Sequence, residues 1–203
     1  MPTAVRTRLQ MVNHILAAAG KAKVASLTPP VSPNVTQAED ALDTADRIAQ
    51  SEGWYFNTER QVVLSPAGGV ITVGGDIISL DITEEIVINP TFGGVREVTL
   101  RGTTVFDLTD GANTDQFTND ITVDQIKFLD ILTELPAVAQ EYIVARATSE
   151  FVRSVTNNDS RTQQAIQREQ QAHIAIQREH GRTGDFNSNN ALSVVAVTGS
   201  RRR

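Results

Sequence analysis

The chain of 203 residues contains no cysteine, which excludes disulfide bridges, thiolate metal sites and a cysteine nucleophile. Aromatic residues make up only 5% of it, and no apolar run approaches the roughly 20 residues that span a bilayer. The N-terminal residues also lack the apolar block of a secretory signal peptide. These absences predict a globular protein without a membrane partner.

Sequence signatures of common enzymes are missing as well. The chain has no G-x-x-x-x-G-K phosphate loop, no G-x-S-x-G nucleophile turn and no H-E-x-x-H zinc pair. His173 and His180 are seven residues apart on a predicted helix, too far for a metal pair one turn apart. Paired carboxylates occur, but the aromatic platforms expected beside a sugar-cleaving pair are scarce. We predict no catalytic, cofactor or metal site.

Charge is distributed unevenly along the chain. The formal net charge of −6 divides into +4 over residues 1–35, −13 over residues 36–135 and +3 over residues 136–203. No concentrated basic footprint marks a sequence-reading DNA binder. Two interpretations of the acidic middle remain open: a solvated surface, or surfaces of opposite charge that face different partners.

Apolar residues at helical spacing predict two helices in the N-terminal part of the chain. The first ends at Gly20 and is followed by a proline-rich loop over residues 21–35. Thr36 is the expected N-cap of the second helix, with Glu39 completing a capping box. This helix is expected to end at Gly53.

Two further helices are predicted in the C-terminal part. The third begins near Leu135 with Pro136 just inside its start, and it is apolar on two sides, which is typical of the central helix of a bundle. The fourth covers about residues 160–180 and contains six glutamines and only a thin apolar stripe.

Between the helices, short runs rich in valine, isoleucine and threonine are separated by glycine pairs, which predicts antiparallel hairpins. Six or seven such strands would form a small sandwich or barrel. The predicted strands are residues 61–64, 70–73, 76–82, 85–88, 95–100, 104–108 and 121–129.

The predicted fold class is α+β. A four-helix bundle is built from both chain ends and carries an inserted antiparallel β sandwich or barrel and an extended C-terminal arm. The expected domains are a helical hairpin over residues 1–53, the inserted β domain over 54–133, a second helical hairpin over 134–181 and the arm over 182–203.

Three of the ten aromatic residues are consecutive: Trp54, Tyr55 and Phe56. They follow the helix stop at Gly53 and precede the first predicted strand. We therefore predict a structural junction here, with Trp54 filling the space between helices and sheet. A role in binding a partner is the alternative.

Several short motifs occur in a characteristic order. They are V-N-H-I-L at residues 12–16 leading to Gly20, G-W-Y-F-N-T-E at 53–59, L-P at 135–136, Y-I-V at 142–144 and A-T-S-E-F at 147–151. Their order and spacing resemble the tail tubular protein A family, the head-to-tail adaptors of short-tailed bacteriophages (podoviruses). The resemblance spans most of residues 8–155.

The resemblance implies a structural virion protein, located in the tail and made in the host bacterial cytoplasm. Adaptors of this family form a twelve-fold ring beneath the portal protein, carry the nozzle protein tail tubular protein B and help to seat the tail fibres. Genomic DNA passes through the lumen. The rival hypothesis is a β-rich binding module that anchors tail fibres or binds carbohydrate outside any ring.

The last residues combine a small apolar run with three consecutive arginines. β-Branched residues suit strand addition to an exposed sheet edge, and the arginines would meet an acidic surface on the portal or on a neighbouring copy. We therefore predict a docking arm; a solubilising tail without a partner is the alternative. The predicted docking residues are Leu192, Val194, Val195, Val197, Arg201, Arg202 and Arg203.

Overall fold

The computed structural model describes residues 6–28, 32–82, 97–111 and 113–183. In these ranges the helices are Arg8–Ala18 (α1), Pro33–Ser51 (α2), Ala137–Val155 (α3) and Asp159–Thr183 (α4). The strands are Thr58–Leu64 (β1), Ile77–Ile82 (β2), Val98–Arg101 (β3), Thr104–Asp107 (β4) and Ile121–Lys127 (β5), and a 3-10 helix covers Thr109–Gly111. The predicted α+β class is confirmed.

The N-terminal helices begin at well-defined caps. Thr7 and Gln10 form a capping box at the start of α1. The N-cap of α2 is Ser32, with Pro33 in the first turn, so the predicted start at Thr36 is wrong. A backbone N–H at the first helical position has no acceptor within the helix, so proline, which has no N–H, loses no hydrogen bond there. The fixed φ of proline also suits a helix. The helix therefore begins four residues earlier than the capping-box pattern suggests.

The C-terminal helices differ from their predicted bounds by a few residues. Pro136 is the N-cap of α3 rather than a residue inside the helix, and its backbone is extended. Helix α4 begins at Asp159 and continues to Thr183. Arg182 and Thr183, assigned to the extended arm, are thus helical, because the 3.6-residue repeat continues until the glycine- and asparagine-containing segment that follows.

Helix α3 is the central helix of the helical region, because it packs against α1, α2 and α4. Its buried residues lie around most of its circumference, and they include polar side chains such as Gln140 and Ser149. The large apolar core of the protein draws on all four helices, with Phe151, Met11 and Ile176 among its fully buried members.

The strands form two small antiparallel sheets. β5 is the middle strand of a three-stranded sheet, with β1 and β2 on its two sides. β3 and β4 form a separate hairpin that turns at Gly102, where φ is +63°. Among the described residues these strands close no barrel. A second, smaller core lies between the two sheets, built on Ile71, Val105, Phe117, Ile121 and Val123.

One predicted strand is not formed. Residues 70–73 make only isolated bridges, from Val70 to Ala67 and to Gln116, and from Thr72 to Thr104 in β4. Gly68 and Gly69 both have positive φ and reverse the chain sharply between Ala67 and Val70, which leaves too short a segment for a regular ladder. The predicted strand 85–88 lies outside the described residues.

Candidate functional site

Two buried amide side chains, Gln50 and Asn57, join the helices to the three-stranded sheet. Gln50 donates to the carbonyl of Leu129 and accepts from its N–H, each at 2.8 Å. Asn57 donates to the carbonyls of Gln50 and Lys127 at 2.8 and 3.1 Å. These bonds connect the end of α2, the start of β1 and the end of β5 at one point.

Trp54 lies beside this junction but faces the helices. Its indole N–H donates to the Ala49 carbonyl at 2.8 Å, and its side chain is buried. Edge-on ring contacts join it to Tyr142 on α3 and to His173 and His180 on α4, with centroids 5.6–6.2 Å apart. Trp54 therefore belongs to the helical core rather than to the core of the sheets.

Tyr55 and Phe56 are half-buried next to Trp54, and their rings meet edge to face at 5.3 Å. The backbone N–H of Tyr55 donates to Nδ1 of His180 at 3.0 Å. The structure thus brings Trp54 and Tyr55 against His180 near the end of α4, and Phe56 packs on Tyr55. The direct hydrogen-bonded link to the sheet is made by Gln50 and Asn57, which the sequence analysis missed. Their only sequence signal is the presence of an amide at a core-facing position of α2 and inside the W-Y-F-N turn.

The two histidines of α4 act as packing groups. The His173 ring stacks on Tyr142 at 5.1 Å, and its Nε2 lies 3.3 Å from Nε2 of Gln177. His180 accepts the hydrogen bond from Tyr55, which requires an unprotonated Nδ1. Sequence spacing argued against a metal pair, and in the described residues no group of three potential ligands comes together.

Tyr142 also belongs to a small polar network at the surface. Its hydroxyl donates to Glu52 at 3.0 Å and accepts from Arg146 at 2.8 Å, and Arg146 pairs with Glu52 at 3.0 Å. Burial, reinforced by the Glu52 carboxylate, raises the pKa of Tyr142. A shallow cavity of about 200 Å³ lies between Tyr142 and α4, bounded there by Glu169 and His173. The network ties α2 to α3.

Asp46 is a buried carboxylate on the junction side of α2. Gln50 donates to it at 2.9 Å. Burial raises the pKa of Asp46 to about 6, although the Gln50 hydrogen bond acts in the opposite direction. At neutral pH the junction therefore contains a buried negative charge that opposes folding.

The predicted docking-arm residues, from Leu192 to Arg203, lie outside the described residues. None of the described helices is both long and apolar enough to cross a membrane.

Comparison with known proteins identifies the class of protein. A family model described as tail tubular protein matches residues 9–186, which includes every described helix and strand except the first residue of α1. Proteins of this class are structural components of the bacteriophage tail rather than enzymes. The chain belongs to the tail tubular protein family, in agreement with its resemblance to tail tubular protein A of podophages. None of the curated proteins compared with the chain matches it.

Proposed function

We propose that this protein is a head-to-tail adaptor. Twelve copies form a ring that sits beneath the portal protein, carries the nozzle protein on its other side and contributes to tail-fibre attachment. Genomic DNA passes through the lumen without sequence-specific binding. The observation that carries this proposal is the tail tubular family match over residues 9–186.

The charge of the chain suits a ring that conducts DNA. At −6 for each copy, twelve copies carry a formal charge of −72. Proteins that hold DNA neutralise phosphates with lysine and arginine and release counterions. A ring with a strongly negative net charge offers the duplex little net attraction, so DNA in transit can slide.

The order of elements also suits an adaptor. The helices come from both ends of the chain, and the β region is inserted between α2 and α3. We expect the helices to build the wall of the ring and the inserted strands to reach outward to other tail proteins. The Gln50–Asn57 junction would hold the insertion at a fixed angle to the wall.

Mass and electron microscopy test the adaptor directly. The free chain has a mass of 22.0 kDa, and a ring of twelve would have about 264 kDa. We expect a twelve-fold ring attached to one end of the portal protein when the two are mixed, with each protein alone as the control. A chain that stays at the monomer mass in the presence of its portal, and instead binds fibres or a polysaccharide, would support the rival binding module.

The C-terminal arm has a test of its own. Its apolar run and terminal arginines suit docking on an acidic surface, and such contacts weaken as salt increases. Deleting residues 185–203 leaves α4, which ends at Thr183, intact. We expect the shortened protein to bind the portal more weakly and with less dependence on salt. Unchanged affinity and salt dependence would show that the arm does not dock.

A further inference from the structure

Helices α2 and α4 both pack against α3, and no comparable packing joins α2 to α4 in the described part of the chain. Each carries an isoleucine that faces solvent: Ile48 on α2 is 40% exposed, and Ile174 on α4 is 47% exposed. A single exposed apolar residue is common on protein surfaces. The residues that accompany each isoleucine along its helix are therefore decisive.

On α4, Ile174 belongs to a line of exposed and uncharged residues. This line, the α4 row, consists of Gln163, Gln167, Gln170, Ile174 and Gln177. The spacing alternates between four and three residues, which keeps the side chains along one side of the helix, as in a coiled-coil seam. Helix faces that meet only water usually carry charges, whereas the centres of protein interfaces are depleted of them.

On α2, Ile48 belongs to a line with the same spacing. This line, the α2 row, consists of Gln37, Ala41, Thr44, Ile48 and Ser51, again without a charge. Four of these residues are exposed, and the short side chain of the fifth, Ala41, is buried. Most of its side chains are smaller than those of the α4 row. Two helices pack well where large residues on one face small residues on the other.

The two helices run in the same direction. Tyr55, just beyond the end of α2, donates its backbone N–H to His180 near the end of α4. Trp54 contacts the same histidine ring at 5.6 Å. The C-terminal ends of α2 and α4 are therefore on the same side of the helical region, so a rotation about an axis along the helices leaves the two rows parallel.

The two isoleucines also lie at similar levels along the helices. Glu52, one turn beyond Ile48, accepts a hydrogen bond from Tyr142 at 3.0 Å. Tyr142 stacks on His173, the residue before Ile174. Rotation in a closed ring does not change the level of a residue along the ring axis, so it can bring Ile48 of one copy next to Ile174 of another.

We propose that the α2 row of one copy packs against the α4 row of the next, with Ile48 against Ile174. The proposal rests on the proposed ring, since a head-to-tail ring needs two different, complementary faces on each copy. Charge around the rows supports the pairing. Residues 33–52 contain five acids and one arginine, whereas residues 159–183 contain four arginines and three acids. Opposite net charges favour this encounter over α2–α2 contact.

Cysteine cross-linking tests the pairing with no background from the chain itself, because it has no cysteine of its own. We would make Ile48→Cys, Ile174→Cys and the double variant, and treat each with a thiol cross-linker in the presence of the portal protein. The double variant is expected to give a ladder of cross-linked species that ends at the ring size. A mixture of the two single variants is expected to give dimers only.

The matched control is the double variant Val63→Cys with Ile174→Cys. Val63 is 60% exposed, as an apolar residue on β1 that belongs to neither row. We expect no ladder from this control, and none from either single variant alone. All substituted side chains are exposed, so thermal unfolding of the variants should match that of the unmodified protein.

The outcomes separate the two proposals. If the unmodified protein forms no ring with its portal, the adaptor proposal is wrong. If rings form but the Ile48–Ile174 double variant gives no ladder, the ring exists and this pairing is wrong. A cross-link from Ile174 to the portal, or a strong dimer from one single variant alone, would likewise overturn the pairing in favour of a portal contact or a two-fold dimer.

Discussion

The helical region and the β region are held together in different ways. In the described part of the chain, the helices share one large core in which α3 contacts all three others, whereas the core between the two sheets has five buried residues. Among the same residues the apolar cores of the two regions are separate, and hydrogen bonds of Gln50 and Asn57 link the regions. The β region therefore depends on the helices for its position, and a small number of polar contacts between the two regions fixes that position.

The largest effect is expected from Trp54→Ala. Removing a buried indole leaves a cavity in the helical core, and such changes cost about 3–5 kcal/mol of unfolding free energy. Urea unfolding followed by circular dichroism measures the change, since the variant has no tryptophan fluorescence. Val63→Ala, at an exposed position on β1, is the control and should change stability by about 0.5 kcal/mol or less. Equal stability of both variants would favour a partner-binding role for Trp54.

Asn57→Ala is expected to have the next largest effect. It removes the acceptor for the backbone N–H of Trp54 and the donor to the carbonyls of Gln50 and Lys127. Buried polar groups are left unpaired, at a cost of about 2–3 kcal/mol. Because these bonds link the two regions, hydrogen exchange should show the β region opening before the helices. Asn119→Ala, at an exposed position, is the control. If Asn57→Ala lowers stability and amide hydrogen exchange becomes faster to the same extent in the helices and in the β region, the two regions unfold together.

Asp46→Asn is expected to stabilise the protein at neutral pH. The pKa of Asp46 is raised from 3.8 to about 6 in the folded chain, so the folded state binds more protons than the unfolded state between these values. The unfolding free energy therefore falls as the pH rises from about 4 to about 6 and stays lower above it. The variant should lose this slope. A shift of about two pKa units corresponds to about 3 kcal/mol, and the buried amide of the asparagine brings an N–H donor to satisfy, which costs about 1–2 kcal/mol, so we expect a net gain of about 1–2 kcal/mol at pH 7.

The control for that experiment is Asp40→Asn, one of the exposed carboxylates of α2. Chemical unfolding at several pH values should give the same slope for this variant as for the unmodified protein. A slope that persists in Asp46→Asn would show that another group binds the proton.

The smallest effects compare the two cores directly. Ile143→Val in α3 and Ile121→Val in β5 each remove one buried methylene, which costs about 0.5–1.5 kcal/mol. Hydrogen exchange of the backbone amides measures the effect on each region. If the two cores are separate, the α3 variant should exchange faster at helical amides, with the amides of the sheets changed less. The β5 variant should act mainly on the sheets. Identical exchange patterns would contradict the distinction.

Local patterns were sufficient for the helices but not for all of the strands. The repeat of apolar residues in α3 identified a helix that is buried on most sides, and the structure places it at the centre of the helical region. The start of α2 was misplaced because both Ser32 and Thr36 suit an N-cap, and only the following Pro33 separates them. Residues 70–73 have strand-forming side chains and lie beside β4, where Thr72 bridges to Thr104, yet the turn at Gly68 and Gly69 leaves too short a segment for a regular ladder.

Local sequence patterns were enough to predict the α+β class, the four helices and the motif order that agrees with the tail tubular family. These features depend on residues a few positions apart. The contacts of Gln50 with Leu129 and of Tyr55 with His180, across 79 and 125 residues, become visible in the folded chain alone. The same holds for the exposure of Ile48 and Ile174, which lie on different helices that flank α3. The physical reason is that periodicity indicates which face of an element is apolar, while the partner of that face depends on how distant segments pack.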